Sequence, residues 1–281
     1  MRVHGETGRR AVHFTAGGLA FLLPFLTPLQ AACAAGGAVV FNLLVLPRLA
    51  PALFREGERR EPWRSGIVIY PVAVLLLILL FHRRMEVAAA AWAIMAAGDS
   101  AAGLVGRRFG RRPIPWNRSK TAEGSIAFAV AASLFSWAVL VFTGRGAAEA
   151  ALLAGPASLF AAFMESLPWR LNDNLTVPLL SAPFLAGLRE FDPARFAAAA
   201  PSLGLWLLLG VAVNSVLAFG FRSTGMVDRS GMIAGFCVGV LTLAFAGWPG
   251  FLVLISFFVL GSGATRLGLR RKERAGIAQE K

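Results

Sequence analysis

Charge is scarce in this 281-residue chain, and acidic charge scarcest: 15 Asp and Glu stand against 28 Lys and Arg, and the charged residues make up only 15% of the whole. A soluble domain needs about a quarter of its residues charged to cover its surface, so an ordinary globular protein is excluded. The two cysteines, Cys33 and Cys237, each lie inside an apolar run, which leaves no disulfide framework and no cysteine metal site. The three histidines, His4, His13 and His82, are scattered, so a histidine metal cluster is not expected either. Alternating segments of about ten residues, the mark of a membrane β-barrel, are missing. There is no internal repeat with a convincing period, and no small-residue cleavage site follows the first apolar run.

What fills the chain instead is apolar: 57% hydrophobic residues and a mean hydropathy of +0.65. Runs of about 20 apolar residues satisfy their backbone in lipid only as helices. Ten such spans are read near residues 11–29, 31–47, 66–81, 87–105, 124–143, 149–167, 175–188, 203–220, 231–247 and 249–265. The net charge of +13 does not gather on one domain, as nucleic-acid binding requires, but in short clusters between these runs. With the N-terminus inside, 23 of the 28 Lys and Arg fall on the inner side and 5, namely Arg83, Arg84, Arg145, Arg189 and Arg195, on the outer side. That asymmetry follows the positive-inside rule. The expected fold is all-α, a polytopic transmembrane helix bundle of about ten spans in the cell inner membrane, with both termini cytoplasmic.

The chemistry concentrates from Gly98 to Ser125, GDSAAGLVGRRFGRRPIPWNRSKTAEGS. Asp99 falls within the fourth span, where an ionisable group is costly unless paired, hydrated or bound to a cation. Asp99, Gly103, Gly106 and Gly110 share one helical face, a carboxylate followed by three positions without side chains. Such a face suits close helix packing, and it equally suits close approach of a ligand. It leads into Arg107, Arg108, Arg111, Arg112, Arg118 and Lys120, and glycines beside cations suit a polyphosphate. Lys120, Thr121 and Glu123 open the next span. Thr121 is placed to cap it, and Glu123 either supports the first turn or binds a divalent cation while Lys120 holds phosphate oxygens.

A second cluster runs from Glu165 to Pro178, ESLPWRLNDNLTVP. Asn172, Asp173 and Asn174 form a turn that conformational preference alone would explain. Yet Asp99, Glu123, Glu165 and Asp173 come from four places in sequence and are all predicted at one membrane face. Carboxylates that hold a magnesium nucleotide, cations that stabilise a transferring phosphoryl group, and a carboxylate that accepts a hydroxyl proton form one chemical set. Asp99 and Ser100 lack the base geometry of an acyl-transfer triad, so no hydrolase is read here. A transporter using Asp99 in a proton or substrate pathway is the non-enzymatic alternative.

Asp99-x-x-Ala102-x-x-x-Gly106-x-x-x-Gly110, followed by Lys120-Thr121-x-Glu123-Gly124, closely resembles the nucleotide-binding signature of the dolichol kinase, phytol kinase and CTP-dependent diacylglycerol kinase superfamily. Glu165 and residues 172–178 resemble that family's second motif, with Asn172 where the family has its first Asp, which leaves Asp173 as the acidic group. Arg9-Arg10-x-x-His13 resembles the opening of phytol kinase-like proteins. The resemblance covers residues 1–222. It implies a kinase that transfers phosphate from CTP, with magnesium, to a membrane-soluble alcohol such as phytol, dolichol or another prenol. It assigns catalytic roles to Asp99, Lys120, Glu123 and Asp173, nucleotide contacts to Gly103, Gly106, Gly110, Arg107, Arg111 and Thr121, and metal contacts to Asp99, Glu123, Glu165 and Asp173. A neighbouring family, the phosphatidate cytidylyltransferases, supplies the enzymatic alternative of CDP-lipid synthesis. Residues 223–281 resemble the beginning of a second membrane family, the domain of unknown function 92 group that includes phytyl-phosphate kinases, and are expected to be only part of that domain.

Overall fold

The computed structural model describes residues 13–54, 58, 61–168, 171–223 and 228–274. Arg2, Arg9, Arg10, Arg55, Arg59, Arg60, Arg170 and Lys281 of the charge pattern lie outside the described residues. The chain forms two compact units, residues 1–190 and 191–281. This division falls ahead of the 222/223 boundary expected from family resemblance.

In the first unit, α1 (His13–Phe25) and α2 (Pro28–Leu49) are followed by α3 (Gly66–Leu80) and α4 (Met85–Phe109). A short antiparallel hairpin of β1 (Pro113–Ile114) and β2 (Asn117–Thr121) then leads into α5 (Ala122–Phe142), α6 (Ala147–Ser166) and α7 (Asp173–Glu190). Thr27 and Gln30 form a reciprocal capping box that starts α2. Residues Phe41–Val45 of that helix widen to a π turn; Pro47, four residues after Leu43, has no N–H to offer the Leu43 carbonyl.

The second unit is α8 (Pro193–Ser223) and α9 (Arg229–Arg274), which breaks at Gly247, φ 63°, two residues before Pro249. Gly210 of α8 comes close to the Val240 backbone of α9, and buried Asn214 packs against Gly239 while donating to the Gly210 carbonyl at 2.9 Å. Where they fall on described residues, the expected apolar segments lie largely in helices, with 231–247 and 249–265 sharing α9. Six of the described helices are long and apolar enough to cross a membrane: α2, α4, α5, α6, α8 and α9; α1 and α3 are shorter apolar helices. The protein is thus a helical, polytopic membrane protein. The apolar side chains left exposed, among them Leu134, Leu152, Leu208 and Phe257, suit helices surrounded by lipid.

Helix α4 is the centre of the first unit, with every residue from Val87 to Gly98 buried. Its alanines explain this position: in lipid there is little hydrophobic drive to bring helices together, and small side chains allow the close contact that holds them. Gly98 is such a contact, because a Cβ there would stand 2.5–2.7 Å from ring atoms of Phe128 in α5. Gly98→Ala should therefore destabilise the fold by about 1–3 kcal/mol, with Phe128→Leu recovering part of the loss in a double-mutant cycle of unfolding in detergent. Independent, additive losses would refute this contact.

The two ends of this bundle differ. At one end Glu86 of α4 accepts from Arg189 of α7 at 2.6 Å and lies 3.6 Å from Arg145, which also pairs with Glu149 of α6; Arg84 pairs with Glu190 at 3.1 Å. Three of the five arginines assigned to the outer side, Arg84, Arg145 and Arg189, thus gather at one end of the helices. Lys120, Glu165 and Asp173 meet at the other.

Candidate active site

Four segments converge at that second end. Helix α4 carries Asp99, Ala102, Gly103, Gly106 and Arg107; strand β2 carries Ser119 and Lys120; the start of α5 supplies Thr121, Gly124 and Ser125; α6 ends with Glu165. Together they line a cavity of about 250 Å³. Asp173, at the start of α7, borders an adjoining narrow void with Asp99, Glu165 and an apolar floor of Met95, Phe128 and Val177.

Lys120 joins the acids. Its Nζ donates to Glu165 Oε1 and, at 2.8 Å, to Asp173 Oδ2. Glu165 is 3% exposed, whereas the Asp173 side chain is 35% exposed. Burial works against the Lys120 ammonium, but the charges of Glu165 and Asp173 outweigh it and hold its pKa above the ordinary lysine value. The amine therefore stays protonated throughout the neutral range. Asp99 makes no ion pair or side-chain hydrogen bond among the described residues, which sets it apart from the other two acids.

The hairpin is fixed to α6 by its own side chains. Trp116 Nε1 donates to Ser166 Oγ at 3.2 Å, and Asn117 Nδ2 reaches the Leu167 carbonyl at 3.5 Å, so Lys120 is delivered next to Glu165 from a strand tied to the same helix end. Asn174 Nδ2 donates to the Gly66 carbonyl at 3.2 Å and anchors the start of α7 to α3.

Glu123 has a different place from the cavity-wall position expected for it. Its Oε2 accepts the backbone N–H groups of Arg111 and Arg112, at 3.1 and 3.2 Å, and so closes the loop after α4 onto the start of α5. Being in the first turn of the helix turns its side chain toward that loop, and it does not line the cavity. Arg111 likewise contributes its backbone there and not a cavity side chain. Thr121 caps α5 by accepting from Gly124 N at 3.2 Å, and the Ala122 N–H donates to the Arg112 carbonyl at 2.9 Å. Two of the first amides of the helix, those of Ala122 and Gly124, are thus used within the protein.

The glycines divide between packing and lining. A Cβ at Gly110 would stand 2.8 Å from Thr121 Oγ1, and one at Gly106 would stand 3.1 Å from the same atom. Gly106 and Gly124 let α4 and α5 cross closely around Thr121. Gly103 and Gly106 also border the cavity, Gly110 does not. Ser119 and Ser125 are wall residues to which the sequence pattern assigned no part, and Ala102 and Gly124, named in the signature without a role, also line the wall.

The donor set fits a magnesium nucleotide. Among the described residues no three His, Cys, Asp or Glu side chains are grouped to hold a metal unaided. Magnesium, however, is commonly held by one or two carboxylates together with substrate phosphates. Asp99 and Glu165 provide two carboxylates on one cavity, beside Lys120 and Arg107.

Residues 212–281 match the family described as Integral membrane protein DUF92. The chain is 34% identical over 211 residues to Probable phytol kinase 2, chloroplastic, of Oryza sativa subsp. japonica, covering 66% of each. It is 35% identical over 159 residues to Probable phytol kinase 3, chloroplastic, of Glycine max (52% of this chain, 50% of the relative) and 35% identical over 147 residues to Farnesol kinase, chloroplastic, of Arabidopsis thaliana (50% and 47%). The chain spans about half to two thirds of the length of these relatives. No solved structure matches it.

Proposed function

We propose that this chain, which belongs to the phytol and farnesol kinase superfamily, transfers the γ-phosphoryl group of a nucleoside triphosphate, CTP by resemblance, to the hydroxyl of a prenol or similar lipid alcohol at the cytoplasmic face of the inner membrane. The observation that carries the reading is the convergence of Asp99, Lys120 and Glu165 from three segments on one cavity, with Asp173 bound to the same lysine.

The acceptor oxygen attacks the γ-phosphorus, the bond to the β,γ-bridging oxygen breaks, the nucleoside diphosphate leaves, and the hydroxyl proton passes to a carboxylate. Asp99 suits that proton, because Glu165 and Asp173 are already engaged by Lys120. Lys120 and Arg107 are the cations that oppose charge on the phosphate oxygens. The walls of Ala102, Gly103 and Gly106 allow phosphates to lie against the helix backbone. Magnesium, when bound, would neutralise charge on the phosphates; Glu165 and one oxygen of Asp99 would hold it, the second Asp99 oxygen being the one that takes the proton.

Purified full chain in detergent, given magnesium and a prenol, should move label from γ-labelled CTP into the lipid. Label entering lipid from α-labelled CTP would instead establish CDP-lipid synthesis, and no lipid label from either would remove the enzymatic reading. ATP in place of CTP tests the donor.

A further inference from the structure

We infer that Ser125 is a ligand-contacting residue whose hydroxyl donates to a phosphate oxygen of the bound nucleotide; this rests on the kinase reading above. Four serines elsewhere in the helices use their hydroxyls on the backbone of the preceding turn. Ser136 donates to the Ala132 carbonyl at 2.7 Å, Ser166 to Phe163 at 2.7 Å, Ser181 to Pro178 at 3.3 Å and Ser202 to Ala199 at 2.8 Å. This is the ordinary way for a helical serine to satisfy itself.

Ser125 departs from it. The residue lines the cavity, yet its Oγ is shielded and has no hydrogen-bond partner. It stands in the first turn of α5, where the chain four residues back, at Thr121, is extended (φ −124°, ψ 149°), so no full helical turn precedes it. The neighbouring amides are spent on Thr121 and Arg112, as described above. A buried hydroxyl without a partner carries a free-energy cost that a correctly placed ligand removes. Ser100 is a second such hydroxyl, but it does not line the cavity.

The company of Ser125 decides the ligand group. Lys120, Arg107 and the Thr121 hydroxyl share its cavity, and a set of donors beside cations suits an oxyanion. An acceptor alcohol needs the opposite, a group that takes its proton. With the Ala122 and Gly124 amides already occupied, side-chain hydroxyls take over phosphate-holding work that free N-terminal amides would otherwise do.

The test uses full chain in detergent with magnesium and the β,γ-methylene analogues of CTP and ATP, in wild type, Ser125→Ala and Ser125→Thr. Ligand-free Ser125→Ala should unfold at or above the wild-type temperature, since it removes an unsatisfied group. Its Kd for the analogue should rise about tenfold, the worth of a hydrogen bond to a charged acceptor, with KM for the prenol unchanged. Ser125→Thr should bind within about threefold of wild type, since the hydroxyl is retained. Wild-type affinity in Ser125→Ala, a lower ligand-free unfolding temperature, or a change confined to the prenol KM would each overturn the assignment. A wild-type protein that binds neither analogue would instead overturn the kinase reading on which it rests.

Discussion

Asp99→Asn should lower phosphoryl transfer by about 10²–10⁴-fold, the usual contribution of a positioned proton acceptor, and should not lower the stability of the ligand-free protein. Asp99 lies in a helix able to span the membrane, lines the cavity, and lacks a side-chain partner among the described residues. A carboxylate kept in such a place without a cation costs stability. The neutral amide has the same shape and removes that cost. Unfolding in detergent should therefore occur at the wild-type temperature or above it, while turnover of a prenol collapses. A purely structural acid would show the reverse pattern, a drop in stability with turnover intact. That result would remove Asp99 from the site.

Lys120→Met should reduce kcat by about 10²–10³-fold, the loss expected when one fixed donor to a charged transition state is removed. It should also change the ligand-free protein in a way that does not depend on turnover. The ammonium stands between Glu165 and Asp173, where it serves both as a shared counter-charge. Without it the two acids, one of them almost fully buried, lose their counter-charge, and removal of one partner from a buried ion pair is strongly destabilising. Ligand-free Lys120→Met should unfold at a lower temperature, and Mn²⁺ alone should bind more tightly than to wild type and restore much of the loss. Electron paramagnetic resonance of Mn²⁺, without nucleotide, measures this. Unchanged Mn²⁺ affinity together with near-normal kcat would show that the lysine is neither a phosphate contact nor a counter-charge for the acids.

The sequence made some of this geometry legible and concealed other parts for identifiable reasons. Lys120, Glu165 and Asp173 are 45 and 53 residues apart in pairs, yet each belongs to a segment that charge counting assigned to the same side. Their meeting was readable from topology. The direction of Glu123 was not, because it depends on the return of residues 110–112 over the start of α5, a loop path that no periodicity records. Gly106 and Gly110 were open to two uses, and only the position of Thr121 divides packing from lining. The isolation of the Ser125 hydroxyl follows from an absent preceding turn, visible once the first residue of α5 is known. Spans were easier: hydropathy marked the apolar stretches, and six of the described helices are long and apolar enough to cross a membrane, while the break inside α9 was already suggested by Gly247 and Pro249.

The cluster of charges around Glu86, at the far end of α4 from the cavity, has a mechanical consequence. A transmembrane helix whose head is tied to α6 and α7 by arginines resists sliding along the bilayer normal, so Asp99 keeps a constant depth. On the kinase reading proposed above, acceptors would be sorted by how deeply their hydroxyl rides in the headgroup layer, while additional isoprene units would stay dissolved among the acyl chains.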